Sequence, residues 1–200
     1  MSNWKFSYRK ALEFAARKHS EINQKVPGTD LPYIVHVCNV AMEVLAGCME
    51  SPDFDMKYAV QVALLHDTLE DTSTTYKELE CEFGAEIAEG VLALTKNTRL
   101  NPSEQMRDCL DRIRQQRSEV WAEILADRIT SLEKVSKHWT IERRKSCLLA
   151  ESLIFSLLKG GNLFWGNRLN QRIDTFGRQN LRLIGSEDIG TSKQTQKRLS

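Results

Sequence analysis

The sequence contains no alternation of apolar and polar residues over a useful strand length, and no Asn-Gly or Asp-Gly pair to close a hairpin. A β-sandwich or barrel is therefore excluded. It also contains no CxxC pair. Its five cysteines (Cys38, Cys48, Cys81, Cys109, Cys147) are scattered and odd in number. That spacing excludes a disulfide framework and a zinc ribbon, and fits reduced thiols in the cytoplasm. No apolar run approaches the roughly 20 residues that span a bilayer, and Met1 to Lys10 has no signal-peptide character. The formal net charge is only +1. Such a balance argues against a membrane-surface or nucleic-acid-coating role, whereas a small anionic ligand feels only the local field. No repeat at a period of tens of residues is present. Histidine is scarce: His19, His36, His66 and His138 are the full set.

What is present is helical periodicity. Apolar residues at 3/4 spacing predict helices over about 8–22, 33–47, 55–70, 76–82, 86–95, 103–116, 119–134, 140–158 and 163–184. The breaker-rich loop Gln24 to Pro32 separates the first two, with Pro32 suited to a helix start. Thr75 and Glu78 have capping-box spacing, and Thr140 is an N-cap candidate. The expectation is one all-α, multi-helix domain over about 1–184. From Gly185 onward the Gly, Ser, Thr, Gln and Lys content predicts a disordered tail over 185–200.

One stretch dominates: Leu64-Leu65-His66-Asp67-Thr68-Leu69-Glu70-Asp71. It places an imidazole and three carboxylates directly after an apolar run. On a helix, His66 and Glu70 share one face and Asp67 and Asp71 another, about 100° away. All four side chains can then face one cleft. Crowded acids repel, and burying them is costly unless a positive group compensates. A metal ion is the obvious compensator; solvated acids at a bare helix end are the simpler alternative.

Ligands for such an ion must come from other helices too. His36 sits in the first turn of an otherwise apolar helix, where a core histidine fits as well as a ligand. Asp127 lies inside Ile124-Leu125-Ala126-Asp127-Arg128-Ile129 and needs a partner, either an arginine or a metal. With His66 and Asp67 they form a mixed nitrogen/oxygen set on three helices. That set suits Mn²⁺ or Fe²⁺ better than structural Zn²⁺. Two metals would want more ligands than the sequence offers, so a single ion is expected. Glu70 and Asp71, one turn beyond, are placed to orient a water or protonate a leaving group. Lys96 either faces a phosphate or simply ends its helix.

In order along residues 11–135 stand Ala11-Leu12-Glu13-Phe14-Ala15 with His19, Pro32-Tyr33-Ile34-Val35-His36, His66-Asp67-Thr68-Leu69-Glu70-Asp71-Thr72, Phe83-Gly84, Leu94-Thr95-Lys96 and Leu125-Ala126-Asp127-Arg128. This series resembles the HD superfamily of metal-dependent phosphohydrolases. It is similar in particular to the RelA/SpoT hydrolase domain and the small stand-alone hydrolases of metazoan SpoT homologue type. The resemblance implies an HD-domain helix bundle with Mn²⁺ held by His36, His66, Asp67 and Asp127. Glu70 and Asp71 would be catalytic, and a metal-activated water would remove the 3′-pyrophosphate from guanosine tetra- and pentaphosphate. Two positions depart from the family. Gln24-Lys25 stands where Arg-Lys often contacts the nucleotide, leaving Lys25 as the shared cation. Ser131 stands where Asn is usual, and a hydroxyl reaches less far than an amide. The departures point to an altered substrate range.

Three functions follow as expectations. The first is the guanosine polyphosphate hydrolase, with Lys25, Lys96 and Ser131 toward the substrate. The second is a phosphatase on another nucleotide, such as NADPH or a nucleoside mono- or triphosphate. The third is a non-catalytic alarmone-binding protein on the same fold.

Overall fold

The computed structural model describes residues 2–133 and 139–196. These form ten helices, one more than the nine that the periodicity predicts, and no strand. In chain order they are α1 (Ser2–Glu21), α2 (Ile34–Met49), α3 (Met56–Leu65), α4 (Thr68–Asp71), α5 (Tyr76–Phe83), α6 (Ala85–Leu94), α7 (Pro102–Ile113), α8 (Ser118–Glu133), α9 (Ile141–Leu158) and α10 (Leu163–Gln196). The loop between α1 and α2 folds back on itself through a single bridge from Lys25 to Pro32.

α3 is the central helix. Every residue from Tyr58 to Leu65 is buried. A helix apolar all round must be enclosed, and α1, α2, α6 and α8 enclose this one. Asp55 starts it, accepting the Tyr58 N–H at 3.0 Å. Its other end delivers His66 and Asp67 to the place where α2 and α8 converge.

The periodicity predicts one helix over 55–70, but the structure breaks it at His66 and Asp67. Side chains cause the break. The Thr68 hydroxyl donates to Leu65 O at 2.6 Å, and His66 Nδ1 lies 2.8 Å from Ala63 O. Carbonyls that would continue the ladder are thus occupied. Asp67 takes φ −94°, ψ −1°. The backbone recovers within a residue, since the Asp71 N–H donates to Asp67 O at 2.9 Å. Asp67 and Asp71 therefore still sit one turn apart.

α1 starts at Ser2, six residues before the predicted start, and the other boundaries before the end of α10 move by at most three residues. Thr75 and Thr140 cap α5 and α9 as expected. The Glu78 carboxylate also accepts from the Thr75 backbone, as a capping box requires, and it pairs with Lys18 at 2.9 Å. The last helix is predicted to end at Ile184, yet α10 continues to Gln196. The expected tail is thus helical over 185–196. No proline follows Pro102, and the glycines after Ile184 weaken a helix without blocking it. Residues 197–200 of that tail, and His138, lie outside the described residues.

α10 docks on α8 and α9 and reaches α2 through Trp165 and Arg168. Trp165 is fully buried, and its indole N–H donates to Glu43 O at 3.3 Å. Arg168 grips the Glu43 carboxylate with two hydrogen bonds, at 2.5 and 2.7 Å. The Trp165 ring lies so close to Gly47 that a β-carbon there would come within 2.1 Å of it. Gly47→Ala is therefore expected to cost about 1–3 kcal/mol by overpacking. Thermal unfolding should show a fall of several degrees, against no change for Gly160→Ala, whose added methyl meets nothing within 4 Å.

Candidate metal centre and active-site cleft

The C-terminal end of α3, the first turn of α2 and the middle of α8 meet at a cleft of about 310 Å³. Tyr33, His36, Asp67, Glu70, Asp71, Lys96, Asp127, Ser131 and Trp139 line it. His66, Asp67 and His36 bring one ligand atom each to within 4.8 Å of one another. Asp127 stands beside them, its Oδ1 3.2 Å from His36 Nε2. Its Oδ2 is taken by Arg128, and the Ser131 hydroxyl donates to Oδ1 at 3.2 Å. Both sequence readings of Asp127 thus hold together: it has an arginine partner and it borders the cluster.

The donor set can be tested for a cation from its own chemistry. His66 is buried and its Nδ1 faces Ala63 O, so Nδ1 carries the hydrogen. In the neutral ring Nε2 presents a lone pair, 2.8 Å from Asp67 Oδ2. Two acceptors this close need a positive group. Burial opposes a proton on His66, but Asp67, Glu123 and Asp127 outweigh it and hold the imidazole well above its ordinary pKa. The same field favours a metal cation. A mixed His/Asp set with the cleft on its open side fits a divalent ion.

Each acid in the cleft has a dedicated donor. The Tyr33 hydroxyl donates to Asp67 Oδ2 at 2.5 Å. Lys96 holds Glu70 twice, through Nζ to Oε1 at 2.6 Å and through its backbone N–H to Oε2 at 2.9 Å. The Gln24 amide donates to Asp71 Oδ2 at 2.7 Å. Asp71 is nonetheless raised above the ordinary carboxylate range, because burial and the charges of Asp67 and Glu70 outweigh that hydrogen bond.

The expected substrate contacts divide. Lys96 lines the cleft but is engaged by Glu70. Ser131 lines it with its hydroxyl on Asp127. Lys25 is exposed and is not among the lining residues. Tyr33, with no role expected from the sequence, is the donor to Asp67. Its signal was a phenol one turn before His36. Glu123 was missed entirely: it is 1 % exposed, with Oε1 3.5 Å from His66 Nδ1. Burial pushes its carboxyl up to about 8. An acid four residues before Asp127 on an apolar helix face was the available signal. Behind Asp127, Arg128 also reaches Glu151 of α9 at 3.8 Å. A separate apolar groove of about 380 Å³, lined by Trp4, Tyr8, Cys38 and Met42 among others, carries no carboxylate.

The HD domain family profile matches residues 11–160. This chain belongs to the HD-domain family. His66-Asp67 is the one His-Asp dipeptide in the chain. The zebrafish (Danio rerio) guanosine-3′,5′-bis(diphosphate) 3′-pyrophosphohydrolase MESH1 is 33 % identical over 165 residues, covering 80 % of this chain and 88 % of its own. The Drosophila melanogaster MESH1 is 26 % identical over 177 residues, covering 86 % and 93 %. A solved structure described as a metazoan ortholog of SpoT that hydrolyzes ppGpp and plays a role in starvation responses matches with a TM-score of 0.72. It is 26 % identical and covers 86 % of this chain and 96 % of that one. No helix among the described residues is long and apolar enough to cross a membrane.

Two outcomes follow from this geometry. Tyr33→Phe removes the donor that orients Asp67 and should weaken divalent-metal binding about ten- to hundredfold, measured by calorimetric titration. Burial raises the Glu151 carboxyl to about 7, with Arg128 only partly opposing it. Between its ordinary value of 4.5 and 7 the folded HD domain therefore holds a proton that the unfolded chain has released. Stability from this group is full below that window and falls as pH rises through it, by roughly 3 kcal/mol at most. Glu151→Gln should thus gain in Tm over the wild type progressively from pH 5 to pH 8.

Proposed function

We propose that this chain is a metal-dependent hydrolase that removes the 3′-pyrophosphate from guanosine tetra- and pentaphosphate. The observation that carries the reading is the convergence of His36, His66 and Asp67 with Glu70 and Asp71 on one cleft. The MESH1 relatives, named for that reaction, supply the substrate class.

His36, His66, Asp67 and Asp127 would hold one ion, and Mn²⁺ suits their nitrogen and oxygen donors. When bound, a divalent ion lowers the pKa of water and neutralises charge on a phosphoryl oxygen. The remaining chemistry belongs to the side chains. Glu70, fixed by Lys96, is placed to accept a proton from a water in the cleft. Asp71, whose burial favours its protonated form, is placed to return a proton to the departing ribose 3′ oxygen. Keeping two neighbouring carboxyls in different environments is how one site carries both a base and an acid. Trp139, with the Arg143 guanidinium 4.7 Å from its ring centre, offers a flat wall for a base. The five free cysteines suit a reducing compartment such as the cytoplasm.

A second reading has one specific observation behind it. Gln24 and Lys25, which stand where the family often contacts the nucleotide, are both absent from the cleft lining. That favours a wider or shifted range of nucleotides, including NADPH and nucleoside mono- or triphosphates. A non-catalytic alarmone-binding role has less support, because every acid needed for hydrolysis is present and held by a donor.

The test is a panel of these nucleotides compared by kcat/KM with Mn²⁺. Guanosine tetraphosphate should lead the panel and release pyrophosphate, EDTA should stop the reaction, and Asp67→Ala should abolish it. Glu70→Gln should lower kcat by about 10²-fold or more. Turnover that survives EDTA and Asp67→Ala would contradict the assignment.

A further inference from the structure

Gln24 stands on the loop after α1, in the position where the family's arginine reaches for nucleotide, and its side chain is bonded within the protein. Its side chain lies between two groups. Nε2 donates to Asp71 Oδ2 at 2.7 Å, and Oε1 lies 2.6 Å from His19 Nδ1. The chemistry of the three groups fixes the direction of both bonds. When Asp71 is ionised its carboxylate only accepts, so the amide nitrogen faces Asp71. The amide oxygen then faces His19 and only accepts in turn, so His19 Nδ1 must carry the hydrogen. His19 is 2 % exposed, and burial lowers its pKa, which keeps the ring neutral. The ring is pinned on its other sides as well. The Tyr33 ring packs beside it at a tilt of 45°, with centroids 4.9 Å apart. The His19 carbonyl accepts the Gln24 backbone N–H at 3.0 Å. The relay His19–Gln24–Asp71 thus has a rigid end in the core of α1 and a free end at the cleft.

We propose that Gln24 is a positioning residue that, backed by His19, clamps Asp71 Oδ2 and leaves Oδ1 as the carboxylate oxygen presented to the substrate. This rests on the hydrolase reading for the role of Asp71, but not for the clamp itself. No other hydrogen bond to the Asp71 side chain occurs among the described residues. Glu70 is held through both oxygens by Lys96, so Asp71 is the acid with an oxygen left over. An arginine at position 24 would set a full positive charge against Asp71 and favour its ionised form. The glutamine amide orients the carboxyl without that charge, which suits a group that must hold and release a proton. Specificity shifts as well. With Gln24 turned inward, this loop offers the nucleotide no cation from position 24.

Two measurements test the clamp. In metal-free protein, the ¹⁵N–¹H spectrum of the imidazoles should show His19 in its Nδ1-protonated tautomer, and Gln24→Leu should move it toward the Nε2-protonated form. An unchanged His19 spectrum in Gln24→Leu overturns the clamp whatever the substrate is. In Mn²⁺, Gln24→Leu should lower kcat for guanosine tetraphosphate by about ten- to a hundredfold, the scale of a misplaced reacting group. KM and metal affinity should stay as in the wild type. In an Asp71→Asn background the same substitution should add nothing, because both changes act on one group. A rise in KM with unchanged kcat would instead make Gln24 a substrate contact, and additive losses in the double variant would make it independent of Asp71; either overturns the proposal. Wild-type protein that leaves guanosine tetraphosphate intact would count against the hydrolase reading, while the His19 spectrum still judges the clamp.

Discussion

Carboxylates crowded into a confined cleft repel one another, and this repulsion organises the molecule around it. Asp67, Glu70, Asp71 and Asp127 all line the same space. Each is matched by a donor from a different part of the chain: Tyr33 for Asp67, Lys96 for Glu70, Gln24 for Asp71 and Arg128 for Asp127. Those donors lie at the start of α2, after α6, in the loop after α1 and on α8. The fold can be read as the arrangement that brings four donors to four acids while leaving one side open. Asp67 Oδ2 faces both the Tyr33 hydroxyl and His66 Nε2, and the negative charge that the donors leave there is what a divalent cation would answer.

The apolar helix α3 makes this arrangement possible. Its burial on every side fixes the height and direction at which the chain emerges at His66. The local break there, driven by the Thr68 hydroxyl and the His66 ring taking carbonyls, turns Asp67 toward the cleft while Asp71 stays one turn on. Helix arithmetic from the sequence placed these side chains together for nearly the right reason. It treated the segment as continuous, because the side chains that interrupt it act through individual hydrogen bonds that no periodicity reveals.

Much of the fold was legible because its signals are local. Spacing of apolar residues marks each long helix, and Thr75 and Thr140 mark two starts. His36, His66 and Asp67 stood out as polar residues where apolar ones belong, and the structure gathers them. Long-range partners were not legible. Nothing in Gln24 announces that it will reach Asp71, 47 residues away, or that Lys96 will hold Glu70. Glu123 and Glu151 were hidden for a related reason: a buried acid declares itself only once its surroundings are known. Lys25, a candidate for substrate contact, lies outside the cleft because the loop turns Gln24 inward and leaves its neighbour facing solvent.

The central claim is that this cleft cleaves a pyrophosphoryl group from the ribose 3′ oxygen as one unit. Phosphorus NMR of guanosine tetraphosphate incubated with the Mn²⁺-loaded protein reads this directly. The account predicts that pyrophosphate and GDP appear together in equal amounts from the first turnover. Stepwise release of orthophosphate, or a substrate left intact, would contradict it.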